Sequence, residues 1–472
     1  MPDHQPCSNL RPRALPIPPV AVVGLLVLGI GGAFAGGLGF DAGPAASLDA
    51  SAESAAAGGP DAGATPPSPA SAEPLSRGEV EATLEGLEES ETESTFAPVA
   101  AKVPSFATLA SIPAAVDFLA QATEEGDALV VTAAGGARRA LTINPVLQRR
   151  ATNLLRNYNV PYGAIAALEP STGRVLALAE HSSEAPNVRG LPLRAICPAA
   201  SVFKVVSGAA LLSAGVSPGE KVCFHGGKHR LNEKLLVDDA RRDGRCLTFS
   251  QALGHSANVI FAKLARRSLD AKALAKMVER LGFNAQIPFA EPLDVSVARI
   301  PDDDFGFANT AAGFGEVFLS PLHGALLAAA VGNRGMWTNP VLFEDEQVKS
   351  RRVLDEKLAA SLSDMMETCV TEGTGRRAFR ERGRYVLPVR AAGKTGSLAN
   401  RTPFRDFSWF VGFAPKDNPK IAVAAVIVNG PKWRIRAPYV VRETMRFFLE
   451  PPKTKSADKK RAGRGGRDLA HR

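Results

Sequence analysis

An α+β architecture is what the chain's apolar patterning predicts: an antiparallel sheet flanked by helices, with a mainly helical subdomain. Strand-like apolar runs stand at both ends of residues 146–450, at 163–180 near the start and at 385–392, 406–414 and 421–428 near the end. The part between about 198 and 375 has helical spacing instead. Strands drawn from both ends around a helical middle pair most simply into one sheet whose two faces the helices cover.

Taken in order, the first element is not globular. Residues 20–40 are 21 consecutive uncharged positions, about 30 Å of helix, which matches a bilayer's hydrocarbon core. Arg11 and Arg13 precede the run, whereas Asp41, Asp49, Glu53 and Asp61 follow it. The positive-inside bias then predicts a cytoplasmic segment 1–19, a single-pass anchor in the inner (cytoplasmic) membrane and an exported, extracytoplasmic remainder. Ala33-Phe34-Ala35 offers a cleavage site as the alternative to an uncleaved anchor. Residues 41–103 are rich in Ala, Gly, Pro, Ser and Glu, a composition that buries no core and predicts a disordered spacer. Residues 104–145 read as a short reduced pedestal or linker, with a short helix near Val116–Ala122 and a turn at Gly135-Gly136.

The folded region opens with a helix over Pro145–Tyr158. Two strands within 163–180 follow, joined by a turn at Pro170-Ser171-Thr172-Gly173. The segment PAASVFKVVSGAALL, residues 198–212, is almost wholly apolar and predicts a buried helix with Pro198 in its first turn. The segment around His255-Ser256 is a polar break between two helical stretches. After the three C-terminal strand candidates, a last helix spans about Pro438 to Leu449. Residues 451–472 form a basic tail, expected to be disordered. The formal net charge is +8, and residues 453–472 hold eight Lys or Arg against two Asp. Three quarters of the excess therefore sits in the tail, and the folded part has no basic face for nucleic acid.

Three short motifs carry the chemistry. Ser201 and Lys204 make an S-x-x-K spacing, which puts both on one face of a helix. A serine hydroxyl becomes a nucleophile when a base within hydrogen-bond reach takes its proton. A lysine serves as that base once burial and a neighbouring cation, here Lys394, lower its pKa. Alone the spacing is weak, expected roughly twice per chain of this length, and Ser456 with Lys459 repeats it in the tail. A buried serine beside an outward-reaching lysine is its plain alternative reading. Ser256-Ala257-Asn258 is weaker still, because Ser and Asn are ordinary helix caps. Lys394-Thr395-Gly396-Ser397 is more specific, expected on the order of once in fifty to a hundred such chains. It lies between apolar stretches and reads as a sheet edge where Gly396 admits close backbone approach.

In this order, SVFK, SAN and KTGS resemble the three motifs of the penicillin-binding, active-serine transpeptidase family. GAIAALEPSTGRVLALAE (163–180), GFGEVFLSPLHGALLAAAVGNRG (313–335) and TEGTGRRA (371–378) extend the resemblance over about residues 140–450. The resemblance implies a β-lactamase/transpeptidase-like fold and a class B-like, monofunctional D,D-transpeptidase. It implies Ser201 as nucleophile toward the D-Ala-D-Ala end of peptidoglycan stem peptides, Lys204 as its base and Ser256 as proton relay to the departing D-alanine. Asn258 would bind the substrate backbone, and Lys394, Thr395 and Ser397 its terminal carboxylate. The backbone N–H groups of Ser201 and Ser397 would form the oxyanion hole, and β-lactams would acylate the same serine. Cell-wall synthesis proteins are the implied protein partners. No cofactor or metal is implied.

Alternatives remain open at this level. The same serine serves a D,D-carboxypeptidase, which resolves the acyl-enzyme with water, or a serine β-lactamase. The absence of a Glu-x-x-x-Asn run after SAN argues against the class A type of the latter. A non-catalytic wall-synthesis scaffold is the alternative outside enzymes. Cys223 and Cys246 bracket a polar segment, which reads as a disulfide in an exported domain. Cys223, His225, His229 and Cys246 alternatively have zinc-ligand character, and two free thiols are the third possibility. Cys197 and Cys369 read as small buried apolar residues.

Overall fold

A computed structural model gives the protein's structure over residues 118–132, 135–227 and 230–450. The expected anchor (20–40), spacer (41–103), basic tail and His229 lie outside the described residues. Among the described residues, no helix is long and apolar enough to cross a membrane.

The main sheet has five strands: β1 (Tyr162–Leu168), β2 (Val175–His181), β3 (Ala392–Arg401), β4 (Phe404–Ala414) and β5 (Ile421–Asn429). Their order is β3-β4-β5-β1-β2 with every neighbouring pair antiparallel. The N-terminal hairpin thus joins the C-terminal meander through β5 and β1, with Ala425 opposite Ile165. The helices are α1 (Pro145–Asn157), α2 (Lys204–Ser213), α3 (Phe249–Gly254), α4 (Asn258–Ser268), α5 (Ala271–Arg280), α6 (Asp304–Ala311), α7 (Pro321–Gly332), α8 (Glu356–Thr371) and α9 (Ala437–Leu449).

Strand alternation sorts the core into two layers. Ile165, Ala167, Val423 and Ala425 face α1 and α9, against Leu155, Val440 and Met445. Ala164, Ala166, Ala422 and Ala424 face the helical subdomain, including Leu322 and Leu326 of α7. Every residue of β5 is buried. An antiparallel strand therefore shows the unbroken apolar run usual in parallel sheets, because helices cover both faces here too. Each fully buried Val or Leu in these layers contributes about 1.5–3 kcal/mol. α7 is buried all round, with Ser320 accepting from His323 N as its N-cap and Pro321 in its first turn.

Three expectations are corrected. The predicted strand at 385–392 is not one; β3 begins at Ala392 and contains the KTGS run itself. Pro388 lacks a ladder donor, while Leu387 and Ala391 turn into the α1/α9 core layer and Ala391 N–H donates to the Tyr385 hydroxyl (3.1 Å). Near residue 120 there is a turn over Phe118–Gln121, not a helix. It leads into a small antiparallel sheet of Thr123–Glu125, Ala128–Thr132 and Arg138–Leu141. Pro198 does not start a helix either. It sits in a two-residue strand paired with Phe318, and α2 begins only at Lys204.

Cys223 and Cys246 face each other across a two-stranded hairpin (Lys221–Phe224 with Arg245–Thr248) and are joined by a disulfide. The bond takes two thiolates away from the zinc reading. His225 Nδ1 is bonded to Asp243 instead, and the buried ammonium of Lys263 on α4 donates to Asp243 (3.0 Å), Asp238 (2.9 Å) and Cys223 O (3.1 Å). The loop between the cysteines is thereby tied to the helix that begins at Asn258.

Candidate active site

The site is built where the helical subdomain meets the free edge of β3. Ser201 lies on a 3-10 turn, Ala200–Phe203, immediately before α2. The turn is held from three sides. Ala199 N–H donates to Val317 O (2.9 Å), and Trp409 Nε1–H of β4 donates to Pro198 O (2.9 Å). Ala200 adopts a positive φ of 49°, a conformation that costs a non-glycine residue about 1–2 kcal/mol. Gly313 packs beneath it at φ 89°, so close that a Cβ there would lie 2.4 Å from Ala200 O. Only glycine satisfies both the angle and the contact.

One turn along, Lys204 is wholly buried. Its Nζ lies 2.9 Å from Ser201 Oγ and 2.7 Å from Asn258 Oδ1, and it also donates to Ala312 O. Burial first, and the nearby Lys394 second, hold its pKa well below the ordinary lysine value. A neutral amine has two protons and one lone pair. The carbonyl oxygens of Asn258 and Ala312 accept only, so they take both protons. In that neutral form the lone pair is left for Ser201, whose hydroxyl would donate to Lys204 Nζ; in the charged form the ammonium donates to Ser201 Oγ. The contact puts an amine within proton-transfer distance of a serine hydroxyl.

Ser256 stands in the break between α3 and α4 at φ 57°. Neither it nor Asn258 acts as a cap. Thr248 and Gln251 form the capping box of α3, and the α4 N-cap, Ala257, has no side-chain bond. The two side chains are instead spent on the lysines. Lys394, also fully buried, donates to Ser256 Oγ (2.9 Å) and to Thr395 O (2.8 Å). Burial pushes its pKa down to about 8, so it is mostly charged at neutral pH and keeps a third proton for an anion.

Gly396 is where the sheet edge passes the turn that carries Ser201. A Cβ there would lie 3.1 Å from both Ala199 O and Val202 Cγ2. Thr395 is buried with its hydroxyl 2.5 Å from that of Thr374. Ser397 is exposed on the same edge strand, opposite Ser408. Of the eight residues singled out from the sequence, six are thus joined into two hydrogen-bonded clusters, one on each lysine. Gly396 and Ser397 continue the edge beside them. The sequence reading assigned no role to Ala312, Gly313, Thr374 or Trp409. Ala312 acts through its backbone, which no side-chain motif reveals. Thr374 lies within TEGTGRRA, a stretch noted for its resemblance alone.

The penicillin binding protein transpeptidase domain matches residues 163–446. Peptidoglycan D,D-transpeptidase PbpA of Mycobacterium tuberculosis is 28% identical over 339 residues, covering 61% of this chain and 67% of that protein. Stage V sporulation protein D of Bacillus subtilis is 26% identical over 330 residues, covering 62% of this chain and 49% of its own. Among solved structures, penicillin-binding protein A from M. tuberculosis in an imipenem acyl-enzyme complex matches with a TM-score of 0.54 at 25% identity, over 66% of this chain and 79% of that one. The matched span contains the turn of Ser201, the break at Ser256 and the edge strand of Lys394, and the chain belongs to the penicillin-binding protein transpeptidase domain family.

Proposed function

We propose that the protein is an active-serine D,D-transpeptidase that cross-links peptidoglycan stem peptides and is acylated by β-lactams at Ser201. The observation that carries this reading is the position of the buried Lys204 Nζ, 2.9 Å from Ser201 Oγ and also against the carbonyl oxygens of Asn258 and Ala312. The relatives named as peptidoglycan D,D-transpeptidases support it, as does the acyl-enzyme complex of a structurally similar protein.

In this reading Lys204 takes the Ser201 proton as Oγ bonds to the carbonyl carbon between the two terminal D-alanines. The backbone N–H groups of Ser201 and Ser397 hold the developing oxyanion. The carbon–nitrogen bond then breaks, and the departing D-alanine takes a proton through Ser256, which Lys394 contacts. Asn258 binds the substrate backbone. Lys394, Thr395 and Ser397 recognise the terminal carboxylate. An amine of a neighbouring stem attacks the ester, forms the cross-link and releases Ser201. No metal or cofactor takes part in this scheme. Residues 20–40 would anchor the enzyme in the cytoplasmic membrane, and 41–103 would space residues 146–450 from it on the extracytoplasmic side, with 104–145 as a reduced pedestal. Wall-synthesis proteins are the expected partners.

The test is labelling by a fluorescent penicillin in the wild type and in Ser201→Ala, followed by timed loss of label. A stable label that vanishes in the mutant is expected. Rapid release with drug consumption would assign a β-lactamase instead, and absence of label on folded protein would leave a scaffold.

A further inference from the structure

Thr374 occupies a position no motif names. It follows α8, and its backbone N–H donates to Gly254 O (3.1 Å), the last residue of α3 before the Ser256 break. Its hydroxyl lies 2.5 Å from Thr395 Oγ1, 3.3 Å from Gly254 O and 3.4 Å from Cys369 Sγ. Thr374 therefore bridges the element that carries Ser256 and the edge strand that carries Lys394.

The hydroxyl protons have two self-consistent arrangements. In one, Thr395 donates to Thr374, which donates on to Gly254 O. Thr395 then offers only lone pairs to the cleft, and these repel a carboxylate. In the other, Thr374 donates to Thr395, whose own proton is free to point at an anion. Both use the short 2.5 Å contact, and the second gives up only the long 3.3 Å bond to Gly254 O in exchange for a Thr395 proton that an anion can accept. It also leaves Gly254 O with the donor it already has, the Thr374 N–H, and the buried Cys369 thiol can donate weakly into Thr374 Oγ1.

We propose that Thr374 is a positioning residue for carboxylate recognition, donating to Thr395 so that the Thr395 hydroxyl proton faces the substrate's terminal carboxylate. The inference rests on the transpeptidase reading and extends it to a residue that does not itself touch substrate. Thr374 sets the polarity of the third motif, and with it the preference for acyl donors that end in an anion.

The experiment compares Ser201 acylation by a penicillin with acylation by its methyl ester, in wild type, Thr374→Val and Thr374→Ser. The free acid needs a donor facing its carboxylate; the ester needs it far less. Thr374→Val is expected to lower the acid-to-ester rate ratio by about tenfold, the worth of one hydrogen bond to a charged group. Thr374→Ser is expected to retain the wild-type ratio. Both rates are read on the same labelled serine, so the ratio is independent of the fraction of folded enzyme. An unchanged ratio in Thr374→Val, or an equal loss in the two variants, would overturn the proposal. Absence of Ser201-dependent labelling in the wild type would overturn the transpeptidase reading itself.

Discussion

The ammonium of Lys394 donates to Ser256 Oγ across 2.9 Å, joining two motifs 138 residues apart in the chain. Lys394 thereby shares a hydrogen bond with the serine proposed to deliver a proton to the leaving group. In that proposal, removing the hydroxyl leaves the leaving nitrogen without its donor. Ser256→Ala is expected to slow acylation by penicillin by about 10²–10⁴-fold, the usual span for a general acid–base group. Stopped-flow labelling checks this, and a loss under tenfold would remove Ser256 from the proton path.

The pH profile follows from the two lysines. In the proposed mechanism, acylation by an acid-bearing penicillin needs Lys204 neutral and Lys394 charged. Lys394 titrates at about 8, so the rate should fall as pH rises through that value. Lys204 lies well below the ordinary lysine value, and its protonation sets the acid limb. The penicillin methyl ester, which does not need the Lys394 charge, should lose most of the alkaline limb. An identical profile for acid and ester would separate Lys394 from carboxylate binding.

Stability carries the same signature with its own sign. The unfolded chain holds the Lys394 proton up to the ordinary value of 10.5, whereas the folded chain releases it at about 8. Between those values the unfolded state binds more protons, so this residue's contribution makes the fold more stable as pH rises across the window. That contribution is complete above 10.5 and is lost as pH falls through about 8. Lys394→Met should flatten this part of the urea-midpoint profile.

Asn258→Asp inverts the electrostatics around Lys204, the proposed base. A carboxylate 2.7 Å from Lys204 Nζ favours the ammonium, which occupies the lone pair that serves Ser201. Labelling at neutral pH should fall by about two orders of magnitude, and the acid limb should move to higher pH. A rate loss with no movement of the limb would mean that Asn258 acts on substrate alone.

The disulfide closes a 23-residue separation, for which chain entropy gives a stabilisation of about 3 kcal/mol. Cys223→Ser with Cys246→Ser should therefore lower the denaturation midpoint. Lys263 still ties the loop to α4, so penicillin labelling of the folded variant should persist. Loss of labelling in a folded double variant would show that the loop shapes the site.

The turn that carries Ser201 gives a steric test of its proposed role. Gly313→Ala adds a Cβ 2.4 Å from Ala200 O at a φ of 89°, and the turn that carries Ser201 must move. A displacement near 1 Å costs about a hundredfold in rate, so labelling should slow by that order. An unaffected rate would mean that the turn tolerates the shift.

The sequence by itself determined the family and most of the architecture of the folded region. Ser201 and Lys204 are one helical turn apart, and local geometry alone brings them together. The two-ended strands and helical middle were legible because burial writes itself as apolar runs and periodicity. The KTGS run was legible as a sheet edge, whereas 385–392 is not a strand although YVLPVRAAG is as apolar as one; Pro388 was the sign against it. Tertiary structure decided the rest: which carbonyls lie against Lys204 Nζ, why Gly313 must be glycine under Ala200, and that Thr374 bridges Gly254 and Thr395. These relationships join residues far apart in sequence, often through backbone atoms that every residue type shares. A sequence names side chains, and so it had no means of recording them.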